Sequence, residues 1–159
     1  MMNIVTDYAD INLARILRRV GFDVKVNTYW TRDIEQTEDY HSIYYDTFHF
    51  NVNDSFMNWN IDTIAFDARN EILINLAAPS LYIIQKWLLE KYRIFVEVQG
   101  LSHNELKFQF ILTQPCYKPT LDGDNSDGDM YDSYQEALYA GIEYALNGIL
   151  NKEYEDNKN

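Results

Sequence analysis

Residues 79–99, PSLYIIQKWLLEKYRIFVEVQ, and residues 132–150, DSYQEALYAGIEYALNGIL, decide how this chain folds. The first segment opens on Pro79, a residue suited to the first turn of a helix. LYIIQKWLLEKY then carries apolar residues around most of its circumference, which predicts a helix covered on more than one side. Ile94, Val96 and Val98 next alternate with Phe95, Glu97 and Gln99, the period of a half-buried strand. Residues 100–105 turn the chain, and Leu106, Phe108, Phe110 and Leu112 repeat the alternation, so the pair reads as a hairpin. In the second segment Ser133 and Glu136 have the spacing of a capping box. Tyr134, Ala137, Leu138, Gly141, Ile142, Ala145, Leu146 and Ile149 then form one apolar stripe. Glycine inside a helix costs about 1 kcal/mol, so Gly141, in a row of small residues with Ala137 and Ala145, predicts close approach by another backbone.

The first half is less regular. Residues 8–20 predict a helix through Ala9, Leu13, Ile16, Leu17 and Val20, capped by Thr6 or Asp7 and ended at Gly21. Arg15, Arg18 and Arg19 gather near its C-terminal end, where cations complement the helix dipole. Phe22, Val24, Val26 and Thr28 alternate as a strand, residues 31–42 read as an acidic loop, and residues 43–52 as a second strand. Residues 51–60, NVNDSFMNWN, are turn-rich, and short strands are expected near 61–66 and 71–76.

Composition narrows the function classes. The chain has 159 residues, 47% hydrophobic, enough for one domain with a real core. No apolar run approaches the roughly 20 residues of a membrane span, and the N-terminus lacks a basic stretch followed by an apolar segment. With a single cysteine, Cys116, no intramolecular disulfide is possible. Thirteen basic and 25 acidic residues give a net charge of −12. The deficit is even, with six basic and twelve acidic residues up to Ala78 and seven and thirteen after it. Such a field repels phosphate backbones and anionic lipid, so neither nucleic acid nor membrane is an expected partner. The expectation is a cytoplasmic protein without a cofactor.

Pro79, the run QKWLLEKYRIFVEV and the closing helix together resemble small uncharacterised proteins of Bacteroides-type bacteria and their phages or mobile elements. The Tyr-x-x-Ala-Leu-x-x-Gly pattern of those proteins is matched by Tyr134, Ala137, Leu138 and Gly141. The resemblance covers residues 79–150, less than half the chain. It implies a bacterial or phage cytoplasmic origin and assigns no catalytic residue.

Candidate chemistry is sparse. Read from Asn125, the segment LDGDNSDGDMYDS places Asn125, Asp127, Asp129, the Tyr131 carbonyl, Ser133 and Glu136 at the liganding positions of a calcium loop. Met130 stands where that loop needs glycine, and Ser133 with Glu136 is already assigned to capping. A solvated turn is therefore the favoured reading, with weak calcium binding at Asn125, Asp127, Asp129 and Glu136 as the alternative. His41 and His49 on one strand would stand over 25 Å apart at ~3.3 Å per residue, and His103 lies in the expected hairpin turn. Cys116 has only Lys118 nearby to lower its pKa. No nucleophile elbow, phosphate loop or paired Cys-x-x-Cys occurs. Ten aromatics crowd residues 29–66, more than one sheet face hides, and an exposed subset including Tyr45 and Trp59 is expected to mark a partner or dimer surface.

The sequence thus predicts one α+β domain over residues 1–150, followed by a flexible tail at 151–159. A mostly antiparallel sheet carries about three helices, and residues 79–150 form a helix–strand–strand–helix half. Its expected role is non-catalytic, the binding of a protein partner or of a second copy. Two alternatives stand beside it: an acidic mimic of nucleic acid that inhibits a host protein, and a metal-dependent or hydrolytic enzyme of unrecognised type.

Overall fold

Asp10, rather than Thr6 or Asp7, starts the first helix: its carboxylate accepts the Leu13 N–H at 2.8 Å. The structure, a computed structural model, describes residues 7–36, 42–50, 58–60, 64–66, 72–102, 105–115 and 125–156. Helix α1 (Ile11–Arg19) buries Leu13, Ala14 and Leu17 and carries Arg18 and Arg19 in its last turn. It closes as the sequence requires, with Gly21 at φ +72°. The Gly21 N–H donates to the Arg18 carbonyl and the Phe22 N–H to the Leu17 carbonyl. Those two bonds make a Schellman motif, its C-terminal apolar contact supplied by buried Phe22 and Leu17.

The chain divides into two compact units, one at Ala9–Pro79 and one from Ser80 onward that also takes in Tyr8. In the first, residues 22–27 keep the predicted alternation of burial but do not pair as a strand. Phe22, Val26 and Thr28 are buried and Asp23 and Lys25 exposed, yet the ladder begins only at Thr28. Strand β1 (Thr28–Gln36) pairs antiparallel with β2 (Ser42–Phe50), from Thr28 opposite Phe50 to Gln36 opposite Ser42. Of the expected acidic loop at residues 31–42, residues 31–36 and Ser42 are therefore strand, and residues 37–41 lie outside the described residues. Backbone groups satisfy the ladder whatever the side chains, and the Trp30–Phe48 edge contact at 5.2 Å anchors its apolar end. Strands β3 (Ile64–Phe66) and β4 (Ile72–Ala77) fall where short strands were expected, and the sheet order is β2-β1-β4-β3. The Trp30 indole donates to the Ala9 carbonyl at the entry to α1, and the buried Thr28 hydroxyl donates to the Ala78 carbonyl.

In the second unit Ser80 caps helix α2 (Leu81–Tyr92), so Pro79 stands one residue before the cap rather than inside the first turn. Leu81, Ile84, Trp87 and Leu88 are buried, whereas Tyr82 and Leu89 are exposed. The helix is thus covered over one arc and not all round. It ends at Arg93 in the left-handed region, φ 59°, a position the sequence does not mark with glycine or asparagine. Strands β5 (Phe95–Ser102) and β6 (Leu106–Thr113) form a separate two-stranded antiparallel sheet. Strand β5 continues through Gly100 to Ser102, residues whose sequence predicts a turn.

Helix α3 (Tyr134–Asp156) begins with the predicted capping box. The Glu136 N–H donates to the Ser133 hydroxyl and the Ser133 N–H to the Glu136 carboxylate, both at 3.2 Å. It runs past Leu150, where the apolar stripe ends, because residues 151–156 contain helix-forming Lys and Glu and no Gly or Pro. Ala137, Gly141, Ile142, Ala145 and Leu146 are buried. At Gly141 a Cβ would stand 2.6 Å from Val96 Cγ1 and 2.9 Å from Phe110 Cβ, so side chains at the sheet surface fill the space. Among the described residues three helices and two antiparallel sheets make the class α+β, as expected.

Candidate functional site

Asp127 shows how the acidic loop uses its charge. One carboxylate oxygen accepts the Asp129 N–H at 3.0 Å and the other accepts the Tyr131 hydroxyl. Ser126 does the same with its hydroxyl, taking the Gly128 N–H and the Gln109 side-chain amide, each at 3.1 Å. Residues 125–131 lie along the outer edge of β6. Leu112 donates to the Asn125 carbonyl, while Phe108 and Tyr131 exchange both backbone hydrogen bonds. The Tyr131 carbonyl that a calcium loop would need is thus committed to Phe108, and Glu136 to the helix cap. The left-handed glycine of the loop is Gly128, φ +79°, two residues before the position the calcium register demands. Among the described residues no three His, Cys, Asp or Glu side chains gather as a metal site. Asn125, Asp127, Asp129 and Glu136 therefore serve an edge-covering strap and a helix start.

Burial and the hydrogen bond to Asp127 push the Tyr131 hydroxyl above the ordinary tyrosine pKa, with the Asp127 charge adding to the effect. Lys107 pairs with Asp132 at the end of the same strap, and the hydrogen bond and charge of that carboxylate raise the ammonium pKa. Glu105 stands 3.9 Å from the same ammonium.

Trp59 is not on the surface. It is 7% exposed, and its indole donates to the Val26 carbonyl at 2.8 Å. Its ring stacks on Tyr29 at 3.7 Å, and Tyr29 stacks in turn on His49 at 4.9 Å. The flanking asparagines act alike: Asn58 donates to the Asp23 carbonyl and Asn60 to the Phe22 carbonyl, while the Asn60 side-chain oxygen accepts the Ala77 N–H. Asn58-Trp59-Asn60 thereby satisfies three carbonyls of a segment whose only β pairing is a bridge at Val26, and so helps hold Phe22 and Val26 buried without their being a strand. The expectation of an exposed Trp59 is overturned by these bonds. Tyr45 lies in β2 opposite Asp33, and its side chain falls outside the described residues. So do His41, His103 and Cys116, while the His49 ring stacks on Tyr29.

Exposed large apolar side chains lie at several other places, Tyr82 and Phe50 among them, and at the end of the β5–β6 hairpin. Leu106 is 61% exposed, Met130 61% and Tyr134 46%. Phe108 connects Leu106 and Tyr134: it follows Leu106 on one face of β6 and meets the Tyr134 ring edge-on at 6.3 Å, whereas Met130 precedes Tyr131, the backbone partner of Phe108, and alternates to the other face. Period alone assigns Leu106, Phe108 and Tyr134 to the core. What period lacks is the length of cover, because α3 starts at Tyr134 and leaves the Leu106 end of the hairpin bare.

Among the described residues no helix is long and apolar enough to cross a membrane. Compared with known proteins, the chain matches no family model, no curated protein and no solved structure.

Proposed function

We propose that this chain is a non-catalytic protein-interaction module, of the bacterial or phage origin that residues 79–150 imply. The observation that supports the reading is the surface that exposed Leu106 and Tyr134 form around Phe108. Large apolar side chains left exposed together are the usual mark of a protein-binding surface. A second support is that two of the carboxylates considered for calcium, Asp127 and Glu136, are held by hydrogen bonds of the fold itself. The net charge of −12 favours a protein partner over nucleic acid or anionic lipid.

The test is affinity capture from cells of the source organism with the wild-type chain and with a Leu106→Arg/Tyr134→Ser variant. Circular dichroism and the urea midpoint confirm that the variant folds. The reading expects a specific protein retained by the wild type and lost by the variant. A wild type that retains nothing specific and does not self-associate ends it.

A further inference from the structure

We infer that the outer edge of β5 pairs antiparallel with the same edge of a second copy, joining two hairpins into one four-stranded sheet. The inference rests on the interaction reading above and gives it a second surface, distinct from Leu106 and Tyr134.

The direction of the backbone groups follows from β6. Phe108 and Leu112 bond outward to Tyr131 and Asn125, away from β5. In an antiparallel ladder their partners Gly100 and Val96, and Val98 opposite Phe110, must likewise direct N–H and C=O away from β6. The Val96 carbonyl accepts the Gln85 side-chain amide. Among the described residues nothing bonds to the outward groups of Val98 and Gly100. Protein edges are ordinarily blunted by Lys, Pro, a bulge or a covering segment. The edge of β6 has its strap at residues 125–131; among the described residues VQGL, residues 98–101 of β5, has none of these.

Gly100 says what approaches. It is exposed and has no positive φ, and a Cβ there would meet only Leu106 and Phe108, at 3.6 and 3.8 Å, ordinary contact distances. The chain's own packing therefore does not require glycine in this strand, where it weakens the ladder. Another backbone coming close is the standing reason for such a residue.

The occupant that fits is a second copy. VQGL is uncharged in an acidic chain, so two chains of −12 can meet here without opposing carboxylates within the paired stretch. A two-fold axis at Gln99 sets Val98 opposite Gly100 of the second copy and closes four hydrogen bonds, two at each Val98–Gly100 pair. Glu97 then faces Leu101 of the second copy instead of the other Glu97. Gln99, which donates to Glu97 at 3.1 Å, faces its own counterpart. The Val98 side chain lies over the bare Gly100 of its partner strand.

Sedimentation across micromolar to millimolar concentration, at low and high salt, tests this on the full chain. The wild type is expected to dimerise, more tightly as salt screens the mutual repulsion. Gln99→Glu places like charges opposite each other at the axis and should weaken dimerisation about tenfold or more. Asn147→Glu, the same charge change on the exposed side of α3, should not. Amide exchange should slow at Val98 and Gly100 as dimer forms. A wild type that stays monomeric, equal dimerisation of the two variants, or exchange at Val98 and Gly100 that ignores concentration each overturns the edge pairing. A monomer that still captures a partner through Leu106 and Tyr134 overturns the pairing alone and leaves the interaction reading intact.

Discussion

Gly141 of α3 lies against Val96 of β5 so closely that any Cβ on the glycine would stand 2.6 Å from the valine Cγ1. Phe110 closes the other side at 2.9 Å. Gly141→Ala gains about 1 kcal/mol of helix propensity and must displace two buried side chains, an overpacking cost of about 1–3 kcal/mol. The expected outcome is a net loss of stability, read as a lower urea midpoint. Val96→Ala in the same chain should recover part of the loss, and a double-mutant cycle measures how much.

The same glycine shows which parts of the fold were legible in the sequence. A helix interior does not carry glycine without a reason, so a close approach at Gly141 was readable, although the side chains of Val96 and Phe110 make it and not the expected backbone; the Ser133–Glu136 cap and the alternating hairpin were readable too. These are local rules in which neighbours within four residues decide the outcome. Residues 31–36 were not readable as strand because their pairing is decided by β2, further along the chain, and needs no apolar period. Trp59 was illegible for a related reason. Its indole answers the Val26 carbonyl, 33 residues earlier, and a lone Trp between asparagines looks the same whether buried or displayed. The exposed Leu106 and Tyr134 were invisible to period alone, since period gives a face and says nothing of where the covering helix begins.

Tyr131 should resist alkali. Its folded-state pKa lies above the ordinary value of 10.0, chiefly through burial and the Asp127 hydrogen bond. The folded state thus holds this proton more tightly than the unfolded chain. The stability it contributes is complete below pH 10 and is lost as pH rises through the folded-state pKa. Ultraviolet titration of the wild type minus Tyr131→Phe should show no tyrosinate growth through pH 10 until the chain unfolds. Asp127→Asn should bring the transition down.

Ser133→Ala removes the oxygen that accepts the Glu136 N–H, and the loss of such a cap costs about 1 kcal/mol. Calcium should not offset it. With Asp127 holding Asp129 and Tyr131, and Glu136 holding the Ser133 N–H, millimolar calcium is expected to leave the thermal midpoint of the wild type where a chelator leaves it. A calcium-dependent rise that Asp129→Asn abolishes would return the loop to the class of cation sites.

Trp59→Phe keeps the stacked ring against Tyr29 but removes the donor to the Val26 carbonyl. A buried carbonyl left without its partner costs about 1–3 kcal/mol. Asn60→Ala strips the Phe22 carbonyl and the Ala77 N–H of their shared partner at once and should cost as much or more. Because both side chains hold the same short segment, the double variant should lose less than the two losses added together. The segment they hold includes Phe22, which also closes the Schellman motif of α1, so amide exchange should speed up at Gly21 and Phe22 in either variant. Exchange that changes only at residues 58–60 would mean that the turn does not hold residues 22–26 in place.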